Sequence, residues 1–124
     1  MSNRLEREFS AHRWQAVPEA LMRRLAGPSP PLVIDVRKPE AFRAEPMIIP
    51  GAVWRDPFAL ADWSAELPGG RAVVVYCVHG HEVSRDARDA LRRQGTDADL
   101  LAGGLEGWKA AGGRVVPANP GDRP

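Results

Sequence analysis

The chain has 124 residues, 44 per cent hydrophobic and 27 per cent charged, and its 17 basic and 16 acidic side chains give a formal charge of +1. That length fits one domain, and that balance gives no electrostatic case for a nucleic-acid or membrane partner. A single cysteine excludes an internal disulfide framework and an internal resolving thiol, and no apolar run reaches the length of a membrane span.

Residues 1–13 read as a flexible lead-in, residues 14–116 as the folded domain and residues 117–124 as a loose Pro- and Gly-rich tail. The charged opening MSNRLEREFSAHRW lacks the apolar core of a secretory signal, so a cytoplasmic location is expected. VPEALMRRLAG predicts a short helix, with Pro18 near its start, Leu21, Met22 and Leu25 on one side and Gly27 closing it. LVIDV, residues 32–36, is a short apolar run expected of a strand covered on both faces. KPEAF opens another short helix, MIIPGAVW holds a Pro-Gly turn, PFALADWSAEL predicts a helix, and LPGG breaks the chain. AVVVY, residues 72–76, is the clearest strand.

From Val83 onward, Val83, Ala87, Ala90 and Leu91 recur at helical spacing, while Arg85–Asp89 and Asp89–Arg93 form four-residue charge pairs on the other side. Gly95 ends that helix, DADLLA is a short strand, and GGLEGWKAAGG is a glycine-bounded helix. Strands alternate with helices, which predicts an α/β fold whose central, mainly parallel sheet is flanked by helices. Of the four tryptophans, Trp108 is expected in the core; Trp14, Trp54 and Trp63 are expected to serve packing, unless one is exposed near the site.

Cys77 falls at the carboxyl end of the AVVVY strand, where sites form in open parallel sheets. A helix start and its free N–H groups favour an anionic sulfur there, and Gly80 permits a tight turn. Such a thiol can hold a sulfur atom as a persulfide or attack an oxyanion; equally, it can be a small buried hydrophobe. Cys77, His79 and His81 form a C-x-H-x-H spacing, but a structural zinc site wants a fourth ligand and wider spacing, so no metal is assigned. The histidines either tune the site or are solvated, and the charge of Glu82 opposes a thiolate if it points inward.

Four stretches taken in order resemble the rhodanese-like domain, the single-domain sulfurtransferase family, over residues 17–113. They are LVIDVRKPEAF, IIPGAV, VVVYCVHG and LLAGGLEGWKAAG. The resemblance implies the rhodanese-like α/β fold. It implies that Cys77 carries sulfur, cradled by backbone amides of Val78, His79, Gly80, His81, Glu82 and Val83, with Ser84 at the helix start. Asp35 and Arg37 correspond to residues that order the site, either through a direct role or as a salt link and loop anchor. The reaction implied needs no cofactor. It takes sulfur from a small donor such as thiosulfate, or from a protein persulfide, and passes it to a thiol, to cyanide or to a sulfur-relay protein.

This chain departs from the family pattern in two ways. The arginine that many members carry at the end of the loop is absent, EVS standing in its place. Counted to Ala87, Leu91 and Gly95, the loop also reads one residue longer, as in related phosphatases and arsenate reductases. Those place an anion-clamping arginine where this chain has Val83. A phosphatase or arsenate-reductase-like enzyme and a non-catalytic regulatory module are therefore the alternatives. The turn before IIPGAV has Met47 and Ile48 where a glycine and a histidine are usual.

Overall fold

The computed structural model describes residues 14–118, so the expected lead-in of residues 1–13 lies outside the described residues. In chain order the elements are β1 (Gln15–Ala16), α1 (Pro18–Leu25), β2 (Leu32–Asp35), α2 (Pro39–Ala44), β3 (Met47–Ile48) and β4 (Val53–Trp54). There follow a 3₁₀ turn (Pro57–Ala59), α3 (Leu60–Ser64), β5 (Val73–Tyr76), α4 (Glu82–Arg93), β6 (Ala98–Leu101), α5 (Gly104–Ala110) and β7 (Val116–Pro117).

Five strands pair in the order β1-β6-β5-β2-β4, every pairing parallel. β5 lies at the centre, with Asp35 beside Tyr76 on β2 and Val75 beside Leu100 on β6. All four β5 residues are buried, which explains the unbroken VVVY run: both faces of this strand are covered. Alternation divides the core in two. Val33, Val74, Tyr76 and Leu101 pack with Leu21 of α1, Phe42 of α2 and Leu105 and Trp108 of α5. Ile34, Val73, Val75 and Leu100 pack on the other face with Trp63 of α3 and Ala87 and Leu91 of α4. The expected α/β architecture is the observed one.

Local differences have physical causes. The helix expected over PFALADWSAEL is a 3₁₀ turn followed by a five-residue helix. Its start is set by Asp56, whose carboxylate accepts from the Phe58 N–H at 2.8 Å ahead of a helical path begun by Pro57. The Pro-Gly turn is flanked by the two-residue strands β3 and β4. β3 pairs antiparallel with β7, and the Ala118 N–H donates to the Pro46 carbonyl at 2.9 Å. Pro117 and Ala118, which the sequence places in a loose tail, are thus held by β3 and by the Pro46 carbonyl ahead of it; residues 119–124 lie outside the described residues. Trp54, Trp63 and Trp108 are buried, whereas Trp14 is 42 per cent exposed beneath the Arg92 guanidinium, 4.4 Å from its ring.

Candidate functional site

Cys77 follows β5 directly and continues the alternation of Val73 and Val75, so its side chain lies on the α4 side of the sheet. It is 6 per cent exposed, and its sulfur lies 3.2 Å from the hydroxyl oxygen of Ser84, a fully buried residue in the first turn of α4. The Cys77 thiol donates to Ser84, and the Ser84 hydroxyl donates to the His81 carbonyl at 3.4 Å. A hydroxyl rotates, so the same group can donate to the sulfur once that sulfur is anionic.

Residues 78–81 form the connection from Cys77 to α4. Glu82 and Val83, expected in the loop, are instead the first helical residues. The cause is the Arg85 N–H, which donates to the His81 carbonyl at 3.0 Å and closes the first turn one residue ahead of Glu82. The long cradle expected from sequence therefore counts residues that the helix absorbs.

The loop is seated on the start of α5. The Cys77 carbonyl accepts from Leu105 N–H at 2.8 Å and the Val78 carbonyl from Glu106 N–H at 3.0 Å. The contact is backbone on backbone. A Cβ at Gly104 would stand 2.5 Å from the Cys77 carbonyl oxygen, and one at Gly80 would stand 2.9 Å from the Gly103 nitrogen. Gly80 and Gly104 also have φ of +76° and +62°, which side-chain-bearing residues rarely adopt. In the sequence Gly103 and Gly104 bound a helix and fall in the last of the four family-like stretches, neither of which places them against the cysteine loop. Paired glycines ahead of a helix were the signal that a second backbone approaches closely there.

The Cys77 and Val78 carbonyls are taken by α5 and the His81 carbonyl by α4, while the N–H donors of this segment are uncommitted. Among the described residues, no backbone N–H of residues 78–84 donates a hydrogen bond to a protein group. Free N–H groups in the segment that follows Cys77, together with the start of α4, place positive dipole ends on the side of the fold where Cys77 lies. The arrangement suits an anion, or a sulfur carrying one more charged sulfur atom.

Asp35 and Arg37 do come together, as a buried pair at the end of β2. Arg37 Nη2 lies 2.7 Å and Nε 3.0 Å from Asp35 Oδ2, and the Arg37 backbone N–H donates to Oδ1 at 3.0 Å. The remaining guanidinium donors reach the carbonyls of Glu45 and Met47, each at 2.9 Å. Arg37 thus ties the chain after α2 to the end of the sheet, and the Trp54 indole N–H caps the Arg37 carbonyl at 2.9 Å. Burial pushes the Asp35 carboxyl up while hydrogen bonds and charge from Arg37 hold it down. Burial, with the Asp35 charge adding to it, pushes the neighbouring Tyr76 phenol far above its ordinary range; its oxygen accepts from Ile49 N–H at 3.3 Å. The salt link and loop anchor are what this pair forms.

A cavity of about 320 Å³ opens over the sulfur, walled by Arg37, Cys77, Val78 and Val83 and rimmed by Lys38, Glu40, His79, His81 and Glu82. Asp35 lies behind Arg37, Gly80 turns to α5, and Ser84 lies beneath the sulfur. His79 and His81 are exposed, their rings edge to face at 6.0 Å. Among the described residues no group of three or more His, Cys, Asp or Glu side chains is arranged to hold a metal ion, and no helix is long and apolar enough to cross a membrane.

A strand-end cysteine under an amide-lined loop, on a five-stranded parallel sheet, defines a class of α/β cysteine-loop proteins. The sequence model of the rhodanese-like domain matches residues 17–111, and the chain belongs to that family. It is 35 per cent identical over 79 residues to a thiosulfate sulfurtransferase, GlpE, of Pseudomonas syringae, covering 63 per cent of this chain and 72 per cent of that protein. It is 38 per cent identical over 112 residues to the HTH-type transcriptional regulator Rv0324 of Mycobacterium tuberculosis; the match covers 84 per cent of this chain but only 46 per cent of the regulator. A rhodanese-related protein from Thermoplasma volcanium has the same fold, with a TM-score of 0.71, 22 per cent identity, and coverage of 82 per cent of this chain and 96 per cent of that one.

Proposed function

We propose that this chain is a sulfurtransferase of the thiosulfate sulfurtransferase (rhodanese) type, carrying sulfane sulfur as a persulfide on Cys77. The observation that supports it most is the setting of Cys77: a sulfur 3.2 Å from the Ser84 hydroxyl, followed in the chain by seven consecutive residues, 78–84, whose backbone N–H groups have no acceptor among the described residues. In the first half-reaction the Cys77 thiolate attacks the outer sulfur of thiosulfate. The new S–S bond forms, the bond to the sulfonate sulfur breaks, and sulfite leaves with its electron pair. In the second, cyanide or a thiolate attacks the outer sulfur of the persulfide and the Cys77 thiolate is released. No cofactor takes part. A protein persulfide is a second donor and a relay protein a second acceptor; no nucleic acid or membrane is involved, and the reaction belongs to the cytoplasm.

Intact-protein mass after incubation with thiosulfate tests this reading. One added sulfur is expected on the wild type, removed by cyanide and absent from Cys77→Ser. Sulfur transfer retained by Cys77→Ser would sink it.

The amide cradle is also compatible with a phosphatase or arsenate reductase. That reading needs a cation over the oxyanion, and Val83 occupies the clamping position while Arg37 is engaged with Asp35 and two carbonyls. Arg85 is exposed on α4. Binding of arsenate or phosphate at Cys77 would favour it. A regulatory module is the remaining reading, and the relatedness to a transcriptional regulator speaks for it. A protein that gains no sulfur from any donor would fit that role.

A further inference from the structure

We propose that the sulfur acceptor is a protein segment that presents its cysteine beside an apolar side chain, and that this side chain docks in a groove between the 3₁₀ turn and α4. The proposal rests on the sulfurtransferase reading and names the partner chemistry for the same site.

The groove has a volume of about 410 Å³, within the range of about 300–1,000 Å³ in which ligands are typically held. Its floor is apolar: Phe58 and Leu60 on one side, Val83, Ala87 and Ala90 of α4 on the other. Phe58 is 74 per cent exposed, by far the most exposed large apolar side chain among the described residues. Its position is built: Asp56 accepts from the Phe58 N–H at 2.8 Å, and the buried Trp63 indole N–H donates to the Asp56 carbonyl at 2.8 Å. A held, exposed aromatic ring at the edge of a groove is a common form of protein-binding anchor.

What says which partner sits there is continuity with the sulfur. Lys38, Glu82 and Val83 line both this groove and the cavity over Cys77. A segment lying along the groove therefore borders the cavity over Cys77. The rim charges are mixed, Lys38 and Arg93 against Glu82 and Asp86, so the groove does not select a ligand of one sign. At the mouth Lys38 stands with Glu40 and Glu82, so a neutral peptide thiol is admitted there without net repulsion. Cys77 itself is nearly covered, so binding area has to come from beside the sulfur.

The chemistry balances without a further reagent. The segment's thiolate attacks the outer sulfur of the Cys77 persulfide and a new S–S bond forms on the segment. The Cys77 S–S bond breaks, and its electron pair returns to Cys77 as thiolate.

The test uses the whole chain, loaded with sulfur, and two blocked pentapeptides. One has cysteine with leucine two residues away on either side; the other has glycine at those positions. Sulfur on peptide and protein is followed by mass at subsaturating peptide. The leucine peptide is expected to accept sulfur at least about tenfold faster, the worth of burying one such side chain. Phe58→Ser, a change at an exposed position that leaves the core intact, should bring the ratio of the two rates close to one. Equal rates for both peptides on the wild type, or a ratio unmoved by Phe58→Ser, would overturn the groove while leaving the persulfide reading in place. Failure of Cys77 to load with sulfur from thiosulfate or from a persulfide donor would instead overturn the sulfurtransferase reading, and the groove assignment with it.

Discussion

Ser84 is buried with its hydroxyl 3.2 Å from the sulfur, and on the proposed reading it is a positioning residue. Ser84→Ala should lower stability by about 1 kcal/mol, the worth of one hydrogen bond, and slow sulfur loading; Ser84→Thr, which keeps the hydroxyl, should restore loading. Denaturant midpoints and loading rates separate the two effects. Asp35 answers differently. Asp35→Ala strands a buried guanidinium, and a loss of about 3–5 kcal/mol is expected in denaturant unfolding. Tyr76 offers a direct reading, because it is the sole tyrosine. Its phenol is raised from an ordinary value of 10.0, so the folded state keeps the proton where the unfolded chain releases it. Stability should therefore fall as pH rises past about 10, and phenolate absorbance should appear only together with unfolding; a phenol that ionises in the folded protein near its ordinary value would contradict the burial described.

Elements were legible in the sequence in proportion to how much chain carries their pattern. β2, β5, α1, α4 and α5 announce themselves through apolar runs, helical spacing, an early proline and closing glycines. β1, β3, β4 and β7 have two residues each, too few to show any period, and exist through pairing with distant chain. The start of α4 was read late because Glu82 is exposed and Val83 is the first apolar residue in the helical stripe. Within the candidate site, Cys77 was readable from its place at the end of an apolar run, and Asp35 and Arg37 only through the family resemblance. The seat beneath the loop was not, since it depends on Gly104 meeting Cys77 across the fold. Two glycines, one opening α5 and one beyond its end, test it. Gly104→Ala, at φ +62° and against the Cys77 carbonyl, should cost well over about 2 kcal/mol; Gly112→Ala, at φ +86° with open space, should cost only the backbone strain of about 1–2 kcal/mol. Thermal or chemical unfolding measures both.

For the whole molecule, one sheet serves two cores. Leu21 is fully buried on the α1 and α5 face and Leu91 fully buried on the α4 face, while β2, β5 and β6 contribute to both. The faces cannot melt separately without undoing shared strands, so a single cooperative transition is expected. Leu21→Ala and Leu91→Ala should each cost about 2–5 kcal/mol, and the double variant should lose close to the sum, because a sheet separates the two sites. Two resolved transitions would refute the shared-sheet description. The alternation of strands and helices made the α/β architecture legible, and the β5 end, where that architecture places sites, is where Cys77 lies.

The seating of the cysteine loop on the glycines of α5 also has a consequence for heredity. If the chain transfers sulfur as proposed, a screen for loss of that transfer would score Gly104 beside Cys77, though Gly104 has no reactive group. In a lineage that retained the reaction, the closing helix would be free to vary on its outer side and would be held to glycine at its first residue.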